Sequence, residues 1–122
     1  MLARLCLVVM AAWLSAVPAF AEHYFVRNQN EYAHALKQIR AGDVIILANG
    51  EWRDFEIVIT GRGRPDKPIT VISEEAGKVI LTGQSSLRIG GEHILVTGLV
   101  FRDGYSPRGE VISFRRTKDD VS

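Results

Sequence analysis

Residues 69–101 read ITVISEEAGKVILTGQSSLRIGGEHILVTGLVF, and this stretch decides the fold class. It alternates short runs rich in Ile, Val and Leu with turn-forming residues, among which glycine recurs. The runs occupy residues 69–72, 79–81, 87–89, 94–96 and 99–101. Strands this short and this regularly interrupted are typical of a sandwich, a barrel or a solenoid.

Spacing distinguishes these architectures, because a solenoid returns to the same face after each circuit. Similar runs lie on both sides of the stretch, at residues 44–47, 55–59 and 111–112. Two series of apolar residues recur along the runs, one spaced by 25 residues and one by 22; they are Val44, Ile69 and Ile94, and Ile57, Val79 and Phe101. Interleaved series of this kind indicate coils with more than one strand each and predict an all-β parallel β-helix.

Strand alternation then predicts which side chains fill the solenoid. The residues expected to point inward are Val44, Ile46, Ile69, Val71, Ile94 and Val96. Those expected to point outward are Ile45, Ile72 and Leu95.

An antiparallel sandwich remains the alternative on spacing alone, and tight hairpin turns favour it. Asn49-Gly50 is one such turn, but residues 51–54 after it do not read as an alternating strand. Ahead of the first coil, residues 23–26 read as a strand and residues 30–40 as a helix with Asn28 or Asn30 as its cap. Tyr32, Leu36 and Ile39 form the apolar face of this helix, and Gly42 suits the position just past its end. A helix of this kind fits a lid over the open end of the first coil.

The chain begins as a secretory signal peptide does, with a basic residue at Arg4, an apolar stretch at residues 5–14 and a small-residue end at Ala19-Phe20-Ala21. We predict cleavage between Ala21 and Glu22, and hence a periplasmic or secreted protein. A transmembrane anchor is the alternative, but the apolar stretch is shorter than the roughly 20 residues that a bilayer requires. The predicted organisation is a signal peptide at 1–21, a strand and capping helix at 22–42, and coils from 43 to 122.

The charge balance of the chain limits the classes of partner that it can bind. Cleavage removes Cys6 and one of the 15 basic residues, Arg4, which leaves 14 basic residues against 14 acidic ones and no cysteine. A neutral exported chain does not suit nucleic-acid binding, which relies on a basic face. We therefore expect neither a nucleic-acid partner nor a membrane anchor after cleavage.

Four segments resemble the alginate lyase and chondroitinase B family of polysaccharide lyases. They are Asp43-Val44-Ile45-Ile46-Leu47-Ala48-Asn49-Gly50-Glu51-Trp52, then Lys67-Pro68-Ile69-Thr70-Val71, then Gly77-Lys78-Val79-Ile80-Leu81-Thr82-Gly83, and above all residues 89–104 with 109–112. The resemblance covers about residues 25–115, the amino-terminal coils of the family. It implies a right-handed parallel β-helix and β-elimination on a uronate polysaccharide such as alginate or a chondroitin-type chain, with a calcium ion, a lysine base and an arginine supplied by later coils.

Local candidates for chemistry are few, and we assign no catalytic residue, metal ligand or cofactor to this piece. The adjacent acidic pairs Glu74-Glu75 and Asp119-Asp120 read as solvated turns, and His23, His34 and His93 have no metal-ligand spacing. Arginine is the usual clamp for carboxylates. Seven arginines fall in predicted turns or at strand ends, where they either line a substrate groove or form a mixed-charge surface: Arg62, Arg64, Arg88, Arg102, Arg108, Arg115 and Arg116.

Among these arginines we predict Arg115 and Arg116 to bind the anionic polysaccharide. The polar end at residues 116–122 contains no capping element, so we expect a truncated solenoid. The sequence thus predicts the amino-terminal fragment of an exported polysaccharide lyase, inactive by itself. The alternative is a non-enzymatic β-solenoid that binds cell-surface polysaccharide.

Overall fold

The computed structural model describes residues 21–104 and 111–115, with only the backbone of Arg115. This part contains one helix and ten strands. In chain order they are β1 (His23–Val26), α1 (Gln29–Gln38), β2 (Val44–Leu47), β3 (Gly50–Arg53), β4 (Glu56–Arg62), β5 (Ile69–Ser73), β6 (Val79–Gly83), β7 (Ser86–Glu92), β8 (Ile94–Thr97), β9 (Leu99–Gly104) and β10 (Ile112–Arg115).

The strands form three sheets in which every paired neighbour is parallel. The sheet orders are β1-β2-β5-β8, β3-β6-β9 and β4-β7-β10. The chain visits the three sheets in turn and pairs each strand with its counterpart from the previous circuit, as a parallel β-helix requires. The predicted right-handed parallel β-helix with one capping helix is confirmed, and the antiparallel sandwich is wrong.

The register of the first coil differs from the sequence prediction by one residue. Val44 lies opposite Thr70, whereas Ile69 lies opposite Ile94. A shift of one residue moves every side chain of a strand to the other face. Ile45 and Leu47 are therefore fully buried while Val44 and Ile46 are only half-buried, so the inward assignment was wrong for β2. It was right for β5, where Ile69 and Val71 are buried.

The second series, Ile57, Val79 and Phe101, does not stack at all. Ile57 pairs with Leu87 in one sheet. Val79 and Phe101 lie in another sheet, where Val79 pairs with Leu99 and Phe101 pairs with Leu81. The connections explain the error: β4 reaches β5 through residues 63–68, but β7 reaches β8 through residue 93 alone. Because the coils differ in connection length, equal spacing in sequence does not mean equal position in the coil.

Aliphatic side chains fill the interior in stacked rows. The fully buried members are Ile45, Leu47, Ile57, Ile59, Ile69, Val71, Val79 and Leu81. Each contributes about 1.5 to 3 kcal/mol relative to an exposed position. The interior residues of the last described coil, Ile94, Val96, Leu99 and Phe101, are only partly buried and pack against this core from one side.

Helix α1 closes the other end of the core. It begins at Gln29 rather than at residue 30, because the Asn28 side chain accepts a hydrogen bond from the Glu31 N–H at 2.9 Å. It ends at Gln38, so Gly42, with φ of +90°, belongs instead to the turn in which the Asp43 N–H donates to the Arg40 carbonyl. A turn with this hydrogen bond accepts a positive φ at its third residue.

The helix covers both the apolar core and the open strand edge. Tyr32 is buried and meets the Phe55 ring edge-on, with the ring centroids 5.1 Å apart. Its hydroxyl donates to the Val58 carbonyl at 3.0 Å, and the Gln29 side-chain amide donates to the Arg53 carbonyl at 3.1 Å. Both carbonyls belong to edge strands, β4 and β3, whose backbone groups would otherwise present a free pairing edge.

Candidate functional site: the outer face of the coils

The sequence-predicted binding residues lie at the limit of the described chain. The backbone of Arg115 ends β10 opposite Gly90 of β7. The side chain of Arg115 and all of Arg116 lie outside the described residues, so their role in binding polysaccharide stays a prediction.

The predicted cleavage point directly precedes the first strand. Ala21 and Glu22 are exposed, and the segment 1–20 lies outside the described residues. The Glu22 N–H donates to the Asp43 carboxylate at 3.0 Å, and the same carboxylate accepts from the Arg40 N–H at 2.8 Å. Asp43 is only 3% exposed, so these two bonds satisfy a buried carboxylate. Cleavage after Ala21 stays a prediction.

The other arginines do not all occupy turns or strand ends. Arg62 ends β4 and Arg64 lies in the following connection, but Arg88 and Arg102 lie within β7 and β9. Arg88 forms an ion pair with Glu56 at 3.7 Å. Both partners are about half exposed, and such surface pairs contribute at most about 1 kcal/mol.

A cleft of about 400 Å³ lies on the outer face of the β3-β6-β9 sheet. Strand alternation creates it: Trp52 and Leu81 point into the core, so their neighbours point out. The cleft is lined by Glu51, Arg53, Ile80, Thr82, Gly83, Arg102 and Asp103.

An irregularity in β9 shapes one wall of this cleft. Leu81 pairs with Phe101 and Gly83 pairs with Gly104, so Arg102 and Asp103 together face Thr82 alone. This two-against-one arrangement is a β-bulge, a feature that redirects side chains and is frequent beside functional sites. Asp103 has φ of +51°, an unusual value for a residue other than glycine. The bulge therefore turns both Arg102 and Asp103 toward the cleft.

Backbone hydrogen bonds fix the corner beside the cleft. Asp54, with φ of +52°, donates its N–H to the Thr82 carbonyl at 3.0 Å, and its side-chain carboxylate accepts from the Gln84 N–H at 2.7 Å. Within the cleft, the Thr82 hydroxyl donates to the Glu51 carboxylate at 2.8 Å. In the described part of the chain the guanidinium groups of Arg53 and Arg102 make neither a hydrogen bond nor an ion pair. Among the described residues, the cleft thus has a frame fixed by hydrogen bonds and two cations without a partner.

A larger hollow of about 1140 Å³ lies at the capped end of the molecule. It is bounded by the end of α1, the Arg40–Asp43 turn and the connection after β4, and Lys37, Arg40 and Lys67 contribute cations. Its most buried acid, Asp43, is already bonded to two backbone N–H groups. These bonds indicate a structural role for that carboxylate.

Other candidate side chains have structural partners or lie apart. Glu74 and Glu75 are exposed in a connection as expected, and both bond to Asn49 of the preceding coil at 3.0 Å. No three His, Cys, Asp or Glu side chains come together as a metal site within residues 21–104 and 111–115. Among the groups described, Tyr32 shows a distinct pKa shift: burial raises the pKa of its hydroxyl well above the ordinary 10.0. No helix in the described part is long and apolar enough to cross a membrane.

Comparison with known proteins identifies the family. The family model of chondroitinase B matches residues 26–122, which is most of the chain. The chain belongs to the chondroitinase B family. Membership covers the strands that carry the cleft, because β3, β6 and β9 all fall inside the matched residues. No curated protein matches the sequence.

Solved structures of this family agree. The PL6 family alginate lyase AlyGC is 55% identical, with a TM-score of 0.77, over 81% of this chain and 14% of that one. The PL6 family polysaccharide lyase Pedsa3628 from Pseudopedobacter saltans is 36% identical, with a TM-score of 0.67, over 75% of this chain and 21% of that one. The chain therefore corresponds to the amino-terminal portion of a PL6 polysaccharide lyase and spans a small share of either structure.

Sequence reasoning missed half of the cleft. It included Arg102 among the basic residues but rejected residues 51–54 as a strand, and with them Arg53. These residues do alternate, since Trp52 is buried while Glu51 and Arg53 are exposed. A signal was present in the alternation of Glu51-Trp52-Arg53, but the Asn49-Gly50 turn before it obscured the start of the strand.

Proposed function

We propose that this chain is the amino-terminal part of an exported lyase that cleaves a uronic-acid polysaccharide by β-elimination. The observation that carries the proposal is the 55% identity to the alginate lyase AlyGC over 81% of the chain. The proposal places the protein in the periplasm or outside the cell, where such a polysaccharide is met, in keeping with the predicted signal peptide.

The reaction assigns different tasks to different parts of the solenoid. Removing the C5 proton of a uronate needs its carboxylate neutralised and a base within reach. The family resemblance assigns the neutralisation to calcium and the proton transfer to a lysine, both on later coils. The described residues do not fit the ion, since no three potential ligands come together among them. We therefore assign this part substrate contact and no step of bond cleavage.

A chimera tests the proposal. Residues 26–115 of this chain would replace the equivalent first coils of AlyGC, with unmodified AlyGC as the reference. We expect the chimera to release unsaturated uronate ends from alginate, detected by their absorbance at short ultraviolet wavelength, because stacked coils of one family present matching interfaces.

The 122-residue chain alone, assayed with and without added Ca²⁺, should give no such absorbance. A soluble chimera without lyase activity would contradict membership of a working lyase. Cleavage by the chain alone would overturn the proposed division of tasks. Binding of polysaccharide by the chain together with an inactive chimera would favour the non-enzymatic solenoid instead.

A further inference from the structure

We infer that the cleft between Arg53 and Arg102 is a binding subsite for one uronosyl residue of the polysaccharide, with the sugar carboxylate held between the two guanidinium groups. The class of ligand rests on the proposed function. The site itself rests on the register, the bulge and the charges of the β3-β6-β9 face.

The register places the two arginines on opposite sides of one strand. Arg53 of β3 lies directly opposite Thr82 of β6, and Arg102 lies across Thr82 on the other side within the bulge. Their backbones are two strand spacings apart, about 10 Å. Two long side chains that converge from this separation leave room for a planar carboxylate between them, and arginine binds carboxylates through paired N–H donors.

Both guanidinium groups are available to a ligand. Arg53 and Arg102 are exposed, and neither bonds to another group in the described part of the chain. Arg88 of the neighbouring sheet differs, because Glu56 already pairs with it. Among the described residues, an incoming carboxylate at the cleft therefore displaces no protein partner.

The acidic residues of the cleft distinguish a sugar acid from a simple anion. Glu51 and Asp103 line the same cleft as the arginines, so the lining carries no net charge. A polyphosphate would meet repulsion from these two acids, but a uronosyl residue carries hydroxyl groups that donate to them. Ile80 lies between the polar groups and is half-buried, which gives the C–H face of a sugar ring an apolar contact.

The test measures binding by the 122-residue chain. Titration calorimetry with a defined mannuronate oligosaccharide would compare the parent chain with the double variant Arg53→Gln, Arg102→Gln, and circular dichroism would verify that both are folded. We expect the dissociation constant to rise about tenfold or more, because two charge-assisted contacts are lost. Arg27→Gln, which removes an exposed cation beside Phe25 and away from the cleft, should leave it unchanged.

Two further probes separate specific recognition from charge attraction. A neutral mannose oligomer and sodium polyphosphate should both bind at least about tenfold more weakly than the mannuronate. The inference would be overturned if the parent and the double variant bound the mannuronate with equal affinity. It would also be overturned if Arg27→Gln lost as much affinity as the double variant, or if the parent bound polyphosphate as tightly as the mannuronate. An active AlyGC chimera together with unchanged binding by the double variant would overturn this subsite and leave the proposed function intact.

Discussion

At the scale of single residues, backbone packs closely between coils where Gly91 of β7 lies over Gly61 of β4. Gly91 has φ of +111°, and a Cβ atom there would overlap the Gly61 carbonyl oxygen. Backbone meets backbone at this point, so neither side can yield as a flexible side chain would. The two strands therefore depend on a position without a side chain.

Replacing this glycine is expected to destabilise the protein strongly. Gly91→Ala adds both a disfavoured φ and a backbone overlap, so we expect the free energy of unfolding to fall by about 3 kcal/mol or more. Gly77→Ala is the matched control, because its φ is +80° and nothing lies within 4 Å of the added Cβ. The free energy of unfolding of that control should fall by only about 1 kcal/mol. Urea unfolding followed by circular dichroism measures both, and equal losses would refute the packing argument.

At the scale of elements, α1 does more than shield apolar surface. Its Tyr32 hydroxyl bonds the Val58 carbonyl on the edge of β4, and burial raises the pKa of that hydroxyl above 10.0. The folded protein thus holds the phenol neutral at a pH where the unfolded chain releases the proton. The stability linked to Tyr32 is fully present below about pH 10 and is lost as the pH rises further.

Removing this hydroxyl should lower the free energy of unfolding more at neutral pH than at alkaline pH. Tyr32→Phe should lower the free energy of unfolding by about 1 kcal/mol near neutral pH, because the Val58 carbonyl loses its hydrogen-bond donor. Above about pH 10 the difference should shrink, because the variant has no phenol to keep protonated. Urea midpoints across this pH range measure the effect. Tyr24→Phe, which leaves Tyr32 in place, should retain the alkaline loss of the parent, and parallel profiles for parent and Tyr32→Phe would rule out the linkage.

The elements themselves were largely predictable from sequence, but their alignment was not. The helix, β1 and the Ile- and Val-rich strands follow from local pattern, since each has its own periodicity or turn boundary. Register depends on connection lengths, which range from the single residue 93 to residues 63–68. For the same reason only part of the cleft was predicted. Arg102 was identified as a basic residue, but its convergence with Arg53 depends on a bulge that has no sequence signature.

At the scale of the whole molecule, the amino-terminal end is closed and polar contacts anchor it. Production of all 122 residues in a bacterial host should yield an exported product that begins at Glu22, as judged by intact mass and amino-terminal sequencing. The Glu22 nitrogen near Asp43 would then be an ammonium group, which strengthens that hydrogen bond. Ala21→Phe, which places a bulky side chain at the cleavage point, should block processing. A product that retains Met1 and stays in the cytoplasm would contradict export.

The capped end also bears on the order in which the coils assemble. Paired strands in the sheets are about 20 to 30 residues apart in sequence, so a growing polypeptide completes one circuit long before the whole solenoid exists. The segment made first carries the lid, which bonds to backbone carbonyls on the edges of β3 and β4. We therefore predict that coils assemble in chain order, each on the coil completed before it.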